Sequence, residues 1–150
     1  MRACIAHFLT KLVQASKNLI EREQAITTLV SVCHGYLDGK KLHYDELKYS
    51  ITIVDTTTGT PIELQDLSSG EKQIVSLLTH LYLRSERKVH IIIDEPELSL
   101  SVPWQRTLLP DLWRSGHCRF MAAVTHSPFI FDNDFEEYVV DLKDHIVYHG

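Results

Sequence analysis

Two short, unbroken apolar runs constrain this chain more than any other feature. "VHIII" (Val89–Ile93) and "RFMAAV" (Arg119–Val124) have the length of strands but not the alternation of strands that face water. Each therefore reads as a strand buried on both sides. Between them lies "WQRTLLPDLW", a helical pattern with Pro103 at a tolerant first-turn position and Pro110 expected to kink or end it. Strand, helix, strand requires a crossover, and crossovers join parallel neighbours. The expected fold class is α/β, with parallel central strands flanked by helices.

The flanking segments are read the same way. Ile5, Phe8, Leu9, Leu12 and Val13, then Ile26, Leu29, Val30, Cys33 and Leu37, recur at helical spacing. Residues 3–37 are one long helix or two shorter ones, with "KNLIEREQ" a solvated face or a break, and Gly39 a stop. Lys48–Leu64 surrounds a Thr-Gly-Thr-Pro turn with β-branched residues, the pattern of a hairpin. Ile74, Leu77, Leu78 and Leu81 share one face of a following helix. "YVVDL" and "HIVYH" read as closing strands.

Composition narrows the class of function. The 150 residues are enough for one domain with a real core. They carry 15 Lys and Arg against 20 Asp and Glu, a net charge of −5, which argues against broad electrostatic binding to nucleic acid. Cys4, Cys33 and Cys118 form no paired spacing, and such sparse use suits a reducing, cytoplasmic setting. No apolar run approaches a membrane span, and no cleavage site marks a signal peptide.

Three motifs carry chemistry. In "IIIDEPE", Asp94 and Glu95 follow the carboxyl end of an apolar strand, the edge where ligands bind in open α/β sheets. One acid can serve a Mg²⁺ shell while the other polarises water; the plain alternative is a pair of acids capping a turn before Pro96. In "VTHSP", Thr125, His126 and Ser127 follow the second strand at the same edge, where a histidine can reach a phosphate oxygen or be an ordinary loop residue. In "LSSGEKQ", Ser68 and Glu71 make an S-x-x-E capping box. The same turn offers hydroxyls, free N–H groups and Gly70 to an anion.

In order and spacing, these motifs resemble the ATP-binding-cassette ATPases. LSSGE is similar to the signature loop, Val89–Glu95 to the Walker B strand and His126 to the switch histidine. The forms "LSSGEKQ", "DEPELSL" and "THSPFIFDN" resemble the soluble SMC-like and overcoming-lysogenization-defect-like branch of the AAA-type superfamily. They are most similar to the ATPases of Septu-type and retron-associated antiphage systems. The likeness spans about residues 30–150.

The resemblance implies ATP and Mg²⁺ as ligands. Asp94 would hold Mg²⁺ through water, Glu95 would be the general base, and His126 would meet the γ-phosphate. Ser68, Ser69 and Gly70 would contact ATP held by a second subunit, and Leu98, Ser99, Leu100 and Ser101 would cross the dimer interface. Transporters carry Asp where Ser101 stands, which puts communication between sites through that position in question. Partners implied are a second ATPase subunit or the missing amino-terminal part and a nuclease effector, with nucleic acid compatible and no membrane.

No GxxxxGK[ST] loop occurs among the six glycines. The chain therefore reads as the C-terminal part of an ABC-type ATPase head: residues 3–37 a helical arm, 48–66 the hairpin and 67–150 the motif region. A split gene, a truncated product, or a regulatory half that lends LSSGE to a partner's ATP would each look like this. A fused nuclease is disfavoured, because only 24 residues follow His126. Lacking the phosphate cradle, the 150-residue chain alone is expected to bind ATP weakly, and calorimetry giving sub-micromolar affinity would contradict that. Missing strands should also leave an open sheet edge and exposed apolar surface.

Overall fold

The helical pattern at the amino terminus forms one helix. A computed structural model describes residues 2–84 and 88–145 of the chain, in which α1 runs unbroken over Arg2–Cys33. "KNLIEREQ" is thus its solvated face, with Lys17 and Glu21 paired one turn apart at 3.8 Å. The helix gives way to a 3₁₀ turn, His34–Tyr36, before Gly39, whose φ of +66° instead starts the next strand. The chain divides into two compact units, residues 1–86 and 87–150.

The first unit adds a three-stranded antiparallel sheet and one further helix. The strands are β1 (Lys40–Asp45), β2 (Ser50–Asp55) and β3 (Pro61–Ile62), in that spatial order. The β2–β3 hairpin is the expected one, turning through Gly59 at φ +71°. Strand β1 was not anticipated: it pairs with all of β2 from Lys40↔Asp55 to Asp45↔Ser50. Helix α2 (Ser69–Arg84) buries Ile74, Leu78 and Leu81, one face at helical spacing. These join Leu29, Cys33, Tyr36, Leu42 and Ile53 in the core. Burial pushes the Cys33 thiol up to about 12.

The second unit is the strand–helix–strand pair. β4 (Val89–Asp94) and β5 (Cys118–Val124) are parallel, in register from His90↔Phe120 to Asp94↔Val124, with α3 (Val102–Arg114) between them in sequence. Leu108, Leu112, Ile91 and Ile130 form its core. Neither strand is buried on both sides. Ile91 is buried, but Ile92 is 79 % exposed, and Phe120 and Val124 share that open face. The reason is the two-stranded sheet: among the described residues of this unit no layer covers its second face. The exposed apolar surface expected from the sequence is therefore present.

Pro110 neither ends nor breaks α3, which continues to Arg114. A proline lacks the N–H that would meet the carbonyl four residues back. Here that carbonyl, of Arg106, accepts a hydrogen bond from Asn133 Nδ2 at 3.0 Å instead. "YVVDL" is not a strand. Tyr138 closes a 3₁₀ turn with its N–H on Phe135 O at 2.9 Å, and the Asp141 carboxylate accepts the Lys143 N–H at 2.9 Å, so local turns replace pairing. "HIVYH" lies outside the described residues after His145. Among the described residues, no helix is long and apolar enough to cross a membrane.

Candidate functional site

In the second unit, the two strand ends bring the candidate acid and histidine together. β4 and β5 run the same way, so Asp94 and Val124 stand side by side at their carboxyl ends. The ladder extends one step further, with the Glu95 N–H donating to Val124 O at 2.8 Å. Glu95 then turns at φ +50°, a left-handed conformation that costs a non-glycine residue about 1 kcal/mol or more. This turn separates it from exposed Asp94, and the Glu95 Oε1 comes within 3.3 Å of His126 Nε2.

Electrostatics divide the neighbouring acids. A hydrogen bond with Glu97, then burial and the Glu97 charge, push the Glu95 carboxyl above its ordinary range; His126 pulls the other way. Burial would also raise Glu97, but the Thr125 hydroxyl and backbone N–H groups, including that of His126, outweigh it and hold it low. Glu97 thus keeps the charge while Glu95 is the readier proton acceptor. Glu97 was not assigned a role from the sequence. The signals that mark it are a second acid two residues past Glu95 and the hydroxyl residues flanking His126.

The Leu98–Ser101 stretch is a tight loop. Leu98 and Leu100 N–H groups return to the carbonyls of Glu95 and Glu97 at 3.1 and 3.0 Å, and Ser99 turns at φ +65°. Leu98 is exposed, whereas Leu100 is buried and its carbonyl accepts from Gln105 Nε2 at 2.9 Å.

Ser68, Ser69 and Gly70 belong to the first unit, where the capping box forms as its spacing suggests. Ser68 N–H donates to Glu71 Oε2 at 2.7 Å, and Glu71 N–H donates to Ser68 Oγ at 3.2 Å. The Ser68 hydroxyl also serves the Glu71 carboxylate, helping to hold it low. The N–H groups of Ser69 and Gly70 open α2 and have no acceptor within it. Behind them, Lys40 Nζ donates to both Glu71 oxygens at 2.8 and 3.0 Å. Thirty-one positions separate this pair, and no local pattern announces it.

The residues fit the ligands the motifs imply. Mg²⁺ in phosphate sites takes one or two carboxylates and completes its shell with water and phosphate oxygens. Asp94 is one exposed carboxylate at a strand end. Among the described residues no group of three or more His, Cys, Asp or Glu is placed to hold a metal.

Compared with known protein families, residues 6–132 match the one described as "AAA domain, putative AbiEii toxin, Type IV TA system", a span containing all three motifs. A search of curated proteins found no match.

Proposed function

This chain belongs to that AAA-domain family, whose members bind and hydrolyse nucleoside triphosphates, and on that premise we propose that it is the part of a dimeric, SMC-like ATPase that carries the hydrolytic carboxylates and the trans-acting signature turn. The observation that carries the reading is the pairing of Glu95 with His126, 3.3 Å apart at the carboxyl ends of two parallel strands. A water held by Glu95 would be deprotonated there, and His126 would donate to the phosphate oxygen developing charge. Asp94 would hold Mg²⁺ through water; the ion, when bound, neutralises phosphate charge. Ser68 Oγ and the Ser69 and Gly70 N–H groups would grip the γ-phosphate of ATP held by the opposite subunit. The phosphate-cradling loop would come from outside residues 1–150. Opening and closing of the dimer would drive a nuclease or other antiphage effector in the cytoplasm, in the manner of the Septu-type and retron-associated ATPases the motifs resemble.

A second reading rests on the absence of GxxxxGK[ST] from residues 1–150: a regulatory half that completes a partner's ATP site without turning over its own. One substitution tests the feature both share. Ser68→Arg fills the exposed turn and is expected to abolish ATP-dependent association, measured by sedimentation with and without Mg·ATP. Association that survives Ser68→Arg would remove the signature turn from the mechanism. Hydrolysis by an assembly in which this chain carries Glu95→Gln would favour the regulatory half.

A further inference from the structure

We propose that Glu97 is a positioning residue of the candidate hydrolysis centre: it holds the turn after β5 against the turn after β4, and so sets His126 on Glu95. The inference rests on the hydrolytic reading above, but its geometric part stands on this chain alone.

The problem Glu97 solves is visible in the exposure of His126. Its side chain is 88 % exposed, so packing does not orient it. The backbone ladder between the strands also ends two residues before it, at Glu95 N–H on Val124 O. Beyond that point, Glu97 takes over. Its Oε1 accepts two successive backbone N–H groups, from His126 at 2.9 Å and Ser127 at 3.1 Å. Its Oε2 accepts the Thr125 hydroxyl at 2.6 Å. Three donors from three consecutive residues fix the peptide planes from which the imidazole departs. Donors to a carboxylate make stronger hydrogen bonds than donors to neutral groups.

The same turn is held from its other side. Ser127 Oγ donates to Gln105 Oε1 at 2.6 Å, and Gln105 is the buried residue whose Nε2 donates to Leu100 O. Thr125–Ser127 is thus suspended between the DEPE turn and the start of α3. Of these two sides, the Glu97 side is the one that holds the N–H of His126 itself.

The chemistry predicts which replacement preserves the arrangement. Glutamine keeps one carbonyl oxygen for the His126 and Ser127 N–H groups and offers an N–H to the Thr125 oxygen, which can accept. Aspartate keeps the charge but is one methylene too short. Alanine removes every contact.

The test uses the ATPase assembly isolated with the full chain. Glu97→Ala is expected to lower kcat about 10- to 100-fold with KM for ATP within about twofold, the signature of lost alignment in place of lost binding. Glu97→Gln should restore kcat to within about threefold and Glu97→Asp should not. A wild-type kcat in Glu97→Ala, or rescue by aspartate instead of glutamine, overturns the proposal. A second readout uses the pure 150-residue chain: amide hydrogen exchange at His126 and Ser127 should quicken about tenfold or more in Glu97→Ala and stay slow in Glu97→Gln. Unchanged exchange also overturns it. An inactive wild-type assembly would instead refute the hydrolytic reading, while exchange still decides whether Glu97 holds the turn.

Discussion

ATP hydrolysis by the assembled enzyme is expected to fall about 10²- to 10⁴-fold when Glu95 becomes glutamine, the range a positioned general base contributes. ATP should remain bound, and the ATP-held dimer should outlast the wild type's. The substitution is nearly isosteric. Glutamine can still reach His126 Nε2, 3.3 Å away, and still occupy the left-handed turn, so geometry changes little. What disappears is the capacity to accept a proton from water. Single-turnover hydrolysis on a preformed ATP complex reads this directly. An unchanged rate would exclude Glu95 as the base.

Lys40→Met is expected to cost the first unit about 2–3 kcal/mol, read as a shift in urea midpoint at constant slope. Fully buried ion pairs lose about 3–5 kcal/mol when one partner is removed. The smaller figure follows from the Lys40 side chain, which is 24 % exposed against 3 % for Glu71. The pH dependence checks the cause. Burial pushes the Glu71 carboxyl up, yet the Lys40 hydrogen bond, followed by those from Ser68, outweighs it and holds it below its ordinary 4.5. A carboxylate depressed in the folded state stabilises at pH above 4.5 and loses that contribution as pH falls through its folded value. Without Lys40, only the Ser68 hydrogen bonds oppose burial, so the depression and the stability linked to it shrink. The gap between Lys40→Met and wild type should therefore be full near about pH 7 and smaller once pH has fallen below 4.5 and through the folded value. An equal gap at both would assign the loss to packing of the lysine stem.

The parallel pair and its acids were legible because their signal is local. A short apolar run ended by Asp-Glu states length, burial and polarity within a few residues, as does the S-x-x-E spacing of Ser68 and Glu71. What stayed hidden depends on distant partners. "KKLHYD" buries only Leu42 fully and shows no apolar alternation; it is a strand because β2 pairs with it. Pro110 looked like a helix end because the donor that replaces its N–H is Asn133, 23 positions on. Val89–Ile93 shows the converse. Its unbroken hydrophobicity suggests cover on two faces, and the described residues of its own unit supply one. The roles of Lys40 and Glu97 follow the same rule, each being set by contacts about thirty residues away.

That separation has a consequence measured in time. Glu97 leaves the ribosome 28 to 30 residues ahead of the donors that hold it. At roughly 5–20 residues per second, the DEPE turn waits about 1.5–6 s without its partners. Meanwhile a left-handed Glu95 has nothing to fix it, and Ile92 stands unpaired beside it. The arrangement of Glu95 with His126 must therefore come late in synthesis, after α3 has folded and β5 has docked. Nascent chains halted between Glu97 and Thr125 would carry both acids and lack the geometry that gives them a use.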